Sequence, residues 1–186
     1  MQFIHKIFIS SIFILATNST FADAQFNTNM QQFLECKKTL KDYYDLGFEF
    51  EDDLKKNGWI KSDSNLLSYT FKSKVPIEVY GMKTNEMVLT LGGMLATVKN
   101  QDTKALAKKY GIQQSPMFQN APYFSGEKIV KTDQANAKAE KSFRKMTLAE
   151  SNPLAEDGDH KTYIGCVYIS EFEQKEQEAK MKAWLE

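Results

Sequence analysis

Chemistry has few places to reside in this chain. It has two cysteines, Cys36 and Cys166, and two histidines, His5 and His160. A reactive thiol needs a neighbouring base or a C-x-x-C pair to hold the thiolate. Neither cysteine has a histidine close to it in sequence, and no C-x-x-C occurs. An even pair in an oxidising compartment becomes a disulfide, so Cys36 and Cys166 are expected to join. Beyond residue 24, a Ser-His-Asp or Cys-His site would have to use His160, and no G-x-S-x-G elbow supports one. P-loop, G-x-G-x-x-G and H-E-x-x-H motifs are all missing from the sequence. No cofactor and no metal site is therefore expected. The one dense polar cluster is Glu156-Asp157-Gly158-Asp159-His160. Its carboxylates could converge on a calcium ion or perform acid–base work. It lacks the EF-hand spacing, and Asp-Gly is a common turn pair, so it reads as a solvated turn. Carboxylates distant in sequence can also pair as in glycosidases, but 24 acidic residues give no means of choosing a pair.

The compartment decides how the cysteines are read, and the N-terminus sets the compartment. Met1 to Lys6 carries a lysine and a histidine. Ile7 to Ala16 is apolar apart from Ser10 and Ser11, and Ala22-Asp23-Ala24 is a small-x-small cleavage site. These are the three parts of a secretory signal. The apolar stretch is well short of the roughly 20 residues of a spanning helix. Residues 1–24 are read as a signal peptide cleaved after Ala24, and residues 25–186 as a single domain. The periplasm is the expected destination.

Lys+Arg and Asp+Glu balance at 24 each, and the signal segment removes one of each, Lys6 and Asp23. Neutrality argues against nucleic acid as a partner, which favours a basic surface. It argues equally against a purely electrostatic attachment to an anionic membrane. Arg144 is the single arginine. It could be a bidentate anion contact, but in so lysine-rich a chain it reads as a compositional bias.

Periodicity supplies the elements that must position any site. Phe33, Leu34, Leu40, Tyr43, Tyr44 and Leu46 recur at helical spacing, predicting a helix from Met30 to Leu46 that carries Cys36. Asn29 caps it and Gly47 stops it. A short helix follows over Glu49 to Lys56, and Trp59 and Ile60 dock on the core. Leu67 to Phe71 and Val75 to Val79 alternate as strands. Met87 to Val98 reads as a hairpin turning at Gly92-Gly93, with Leu91 opposite Met94, Leu89 opposite Ala96 and Met87 opposite Val98. Asp102 and Gly111 bracket a helix. Glu127 to Thr132, Ser142 to Glu150 and Thr162 to Ile169 read as strands, Asp133 to Lys141 as a helix, and Glu171 to Glu186 as a terminal helix. The sum is one α+β domain: N-terminal helices on an antiparallel sheet of about five to six strands, a C-terminal helix and one disulfide.

Between the helix ending at Gly111 and the next strand lies a loop with almost no charge, Gln113 to Gly126. It holds Met117, Phe118, Tyr123 and Phe124 among two prolines. Aromatic and methionine side chains on a loop are typical interface anchors; the alternative is that they cover one end of the sheet. Met181 and Trp184 near the C-terminus pose the same choice. An exported, small, neutral, disulfide-joined chain poor in catalytic groups is expected to be a non-enzymatic binding protein. An inhibitor or immunity-type protein acting on a protein of the cell envelope fits best. A carboxylate-dependent envelope hydrolase and a small-molecule carrier are the alternatives.

Overall fold

The computed structural model describes residues 19–64, 68–90, 92–151 and 160–185, with the backbone alone at 19–23 and 184–185. Most of the expected signal segment, Leu67, Leu91 and the cluster from Glu156 to Asp159 lie outside the described residues.

The helix expected over Met30 to Leu46 is two helices. Helix α1 (Ser19–Leu34) starts earlier and runs through Ala24. The chain leaves it at Cys36, whose φ of +58° no right-handed helix accommodates. Helix α2 (Leu40–Tyr44) then starts on a capping box, in which Thr39 and Asp42 each bond the other's backbone N–H. The apolar spacing runs through this break because Phe33, Leu34, Leu40, Tyr43 and Leu46 all return to one core. Cys36 lies just past α1 rather than on it. Helix α3 (Phe50–Lys56) buries Phe50 and Leu54.

Seven strands follow: β1 (Trp59–Ser64), β2 (Ser68–Val79), β3 (Met82–Thr90), β4 (Gly93–Lys99), β5 (Ser125–Asp133), β6 (Ser142–Glu150) and β7 (Lys161–Ser170). They form one antiparallel sheet in the order β1-β2-β3-β4-β7-β6-β5. The expected five to six strands fall short of these seven. In β1 only Trp59 is buried; Ile60, expected on the core, is exposed because it points to the other face, so this edge strand carries no alternation to read. The two short strands expected before Val79 are one, β2, interrupted by a bulge between Lys72 and Ile77.

The β3–β4 hairpin keeps the expected face but slides by two residues. Leu89 pairs with Met94 and Met87 with Ala96. Gly93, expected in the turn, is a strand residue opposite Val167. A Cβ there would lie 2.3 Å from the Cys166 carbonyl oxygen, and one on Gly165 would lie 2.1 Å from that of Met94. The two glycines let β4 and β7 approach closely, and that packing holds Gly93 in the ladder.

Asp102 caps helix α4 (Thr103–Tyr110), and Gly111, at φ +64°, ends it. The helix expected over Asp133 to Lys141 is instead a loop joining β5 to β6. Asn136 accepts from Lys138 N–H through its side chain and from Ala139 N–H through its carbonyl. Such local bonding competes with a helix. The terminal helix is α5 (Glu171–Leu185).

Alternation divides the sheet into two faces. Met94, Cys166 and Met146 pair across β4, β7 and β6 and point to helices α1, α2 and α4. That face holds the core with Phe33, Leu34, Trp59, Phe71, Met87, Leu148 and Ile164. Lys145, Thr147 and Val167 point the other way, where α5 lies over β6 and β7. Cys36 and Cys166 are joined, fixing the end of α1 to the central strand β7. Arg144 is structural: it donates to the Cys36 carbonyl (2.9 Å) and forms an ion pair with Asp133 (2.8 Å).

Tyrosines tie the helical layer to the sheet. Tyr168 donates to the Phe33 carbonyl (2.6 Å). Tyr43 donates to the Thr90 carbonyl (3.0 Å) and stacks on Tyr168 at 5.2 Å. Burial pushes the Tyr43 phenol up to about 12 and those of Tyr80 and Tyr168 likewise up. A folded-state value above the unfolded value of about 10 stabilises the fold below that pH. This stability is lost as pH rises from about 10 through the folded-state values. Titration at 295 nm should therefore give two phases, the later one coinciding with loss of near-ultraviolet circular dichroism. A single phase near pH 10 with the fold intact would contradict the buried phenols.

Candidate functional site

Residues 113–126 form a stapled connection rather than a free loop. Gln114 holds it from inside: its amide nitrogen donates to the Phe118 carbonyl (2.6 Å) and the Tyr123 carbonyl (3.2 Å). Its amide oxygen accepts from Ser125 N–H (3.3 Å). Ser115 N–H donates to the Ser125 carbonyl, closing the base. Between these anchors Pro116–Phe118 forms one 3-10 turn, with proline fixing its first dihedral.

The four residues singled out in the sequence take three different roles. Phe124 is buried, and its N–H donates to Glu150 Oε2 (2.7 Å); it belongs to the core. Phe118 and Tyr123 are half-buried and lie against each other at 5.9 Å. Met117 is 44% exposed. The structure therefore sets Phe118 against Tyr123, leaves Met117 at the surface beside Phe118 and draws Phe124 inward.

Helix α5 supplies the opposite wall. A groove of about 330 Å³ runs between Met117 and Phe118 on one side and Gln177, Lys180 and Met181 on the other, floored by Gly126 and Thr147. A Cβ on Gly126 would meet the Gln113 carbonyl at 2.1 Å, so only glycine lets β5 pass this close to the loop. Thr147 Oγ1 is buried and has no hydrogen-bond partner among the described residues. Two of the lining residues, Glu127 and Gln177, are held by the buried Lys145, whose Nζ contacts Glu127 Oε1 (2.6 Å) and Gln177 Oε1 (3.1 Å). The lining offers sulfur and ring surface from Met117, Phe118 and Met181, the hydroxyls of Ser115, Ser125 and Thr147, and the charged groups of Glu127 and Lys180. These groups suit reversible contact with an apolar side chain that brings a hydrogen-bonding group.

Sequence reasoning misses Lys145 and Thr147, because alternation puts them on a polar face that reads as solvated. Nothing in the local pattern says that α5 covers that face. Tyr44, expected on the apolar helical face, is exposed instead, as are Phe48 and Phe172. Of the acidic cluster only His160 is described; it is exposed, 3.7 Å from Glu150. Among the described residues no group of three or more histidine, cysteine or acidic side chains could hold a metal ion.

The Lys145–Glu127 pair carries a directional prediction. The lysine side chain is 4% exposed and the glutamate 39%. Removing the acid leaves a buried cation, whereas removing the lysine leaves an acid that water can reach. Glu127→Ala should lower the unfolding free energy by about 3 kcal/mol, and Lys145→Met should stay within about 1 kcal/mol of the parent. Urea unfolding of the two variants checks this; the reverse order would contradict it.

No family model, curated protein or solved structure matches this chain.

Proposed function

We propose that this chain is an exported, non-enzymatic binding protein of the periplasm. Its contact surface is the groove between the Pro116–Phe118 turn and α5, and its partner is a protein of the cell envelope. The observation that carries the reading is the groove itself, a rigid, stapled turn presenting Met117 and Phe118 beside Met181. A turn already held by Gln114 loses little freedom on binding, which keeps the ordering cost of association low. The joined cysteines fit an oxidising compartment, and no described helix is long and apolar enough to cross a membrane. Within this class an inhibitor or immunity-type protein acting on an envelope enzyme or toxin suits a stiff scaffold with one contact edge.

Phe118→Ala and Tyr123→Ala separate contact from core. Both side chains are half-buried, so each truncation should cost no more than about 2 kcal/mol of stability. Loss of an aromatic anchor should weaken partner binding by roughly 30-fold or more. Thermal unfolding and affinity capture from an envelope fraction read the two effects. If both variants unfold, the turn is core and the reading fails.

A further inference from the structure

A second site lies at the opposite edge of the sheet and owes nothing to the groove beneath α5. Where β2 bulges between Lys72 and Ile77, the chain from Ser73 to Pro76 stands away from β3. Bulges of this kind re-aim side chains next to binding sites. Within the bulge Val75 N–H donates to Ser73 Oγ (3.1 Å), and Pro76 has no N–H to offer. It is therefore poorly suited to adding a strand, and its side chains are what it presents.

Ser73, Lys74 and Val75 line a cleft of about 760 Å³, whose other walls include Asn27 on α1, beyond the expected cleavage site, and Asn57 and Gly58 of the α3–β1 turn. This volume falls within the roughly 300–1,000 Å³ of small-ligand sites. Two of its walls are Ile60 and Val75, which are 61% and 60% exposed; Gly58 also lines it. The charged groups of the lining are Lys72 and Lys74, and no carboxylate lines the cleft among the described residues. Lys72 also reaches Glu86 at 3.4 Å, from a side chain that is still 57% exposed.

We propose that this cleft binds an anionic amphiphile, a long-chain carboxylate or similar single-tailed lipid. Its tail lies on Ile60, Val75 and Gly58, and its head group meets Lys72 and Lys74. The sign of the lysines selects the head group, and the apolar walls select the tail.

Laurate, kept below its micelle concentration, is the probe, titrated calorimetrically into the protein isolated from the envelope fraction. Dodecyltrimethylammonium, with the same tail and the opposite charge, is the control. Saturable one-to-one binding of laurate is expected, with the control at least ten-fold weaker. Val75→Asp and Lys74→Glu, both at exposed positions, should each weaken laurate at least ten-fold while leaving the thermal midpoint close to the parent. The proposal is overturned if laurate does not bind saturably, if both amphiphiles bind alike, or if neither variant changes the affinity.

Discussion

Replacing Cys36 and Cys166 together by alanine is expected to lower the unfolding free energy by about 5 kcal/mol, the loop-closure entropy of a cross-link this long. The bridged residues are 130 apart in sequence, so the bond constrains most of the unfolded chain. A domain of this size has about 5–15 kcal/mol in total, so the variant should sit at the margin of folding. Its thermal midpoint should drop by roughly 10–20 °C. Cys166 is fully buried and Cys36 nearly so, so reductant should act only as the α1–β7 junction opens. Arg144 holds that junction from outside through the Cys36 carbonyl and Asp133. Thermal unfolding of the double variant, and of the parent with and without reductant, measures the effect. A midpoint within a few degrees of the parent would mean that packing alone fixes α1 to β7.

Gly165→Ala is expected to be nearly as damaging, by at least about 3 kcal/mol, at the upper end of overpacking costs. Gly165 sits mid-strand in β7, paired with Leu95 on one side and Thr147 on the other. The added Cβ would lie 2.1 Å from the Met94 carbonyl oxygen and 2.7 Å from Leu95 Cα. Both obstacles are backbone, so relief requires parting β4 from β7 at the centre of the sheet. Gly58→Ala is the control: its φ is +80° but nothing stands within 4 Å of the new Cβ. It should cost about 1 kcal/mol, from backbone conformation alone. Equal losses in the two variants, read by urea unfolding, would show that the β4–β7 contact is looser than described.

These two sites also mark what the sequence made legible. The cysteine pair followed from number and compartment, because no other chemistry was on offer for it. Helix α4 followed from Asp102 and Gly111, since caps are local. The face of the β3–β4 hairpin followed from alternation, but its register did not. Gly92 and Gly93 look alike to a turn rule, and only the approach of β7, some 70 residues later in the chain, assigns Gly93 to the strand. The break after α1 was hidden because the apolar spacing continues across it. Strand β1 was hidden because an edge strand with one buried residue has no pattern. The loop at Met117 and Phe118 was visible as an aromatic, nearly uncharged stretch. Its opposite wall was not, because α5 docks partly through Lys145 and Gln177 rather than through an apolar stripe.

The most direct test of the groove as contact surface is hydrogen exchange on the complex captured from a native envelope fraction. One stoichiometric protein partner is expected, with exchange slowed at residues 115–119 and along α5. A folded, oxidised bait that retains no partner would contradict the proposal. So would protection confined to the exposed Tyr44, Phe48 and Phe172, with the groove left unchanged.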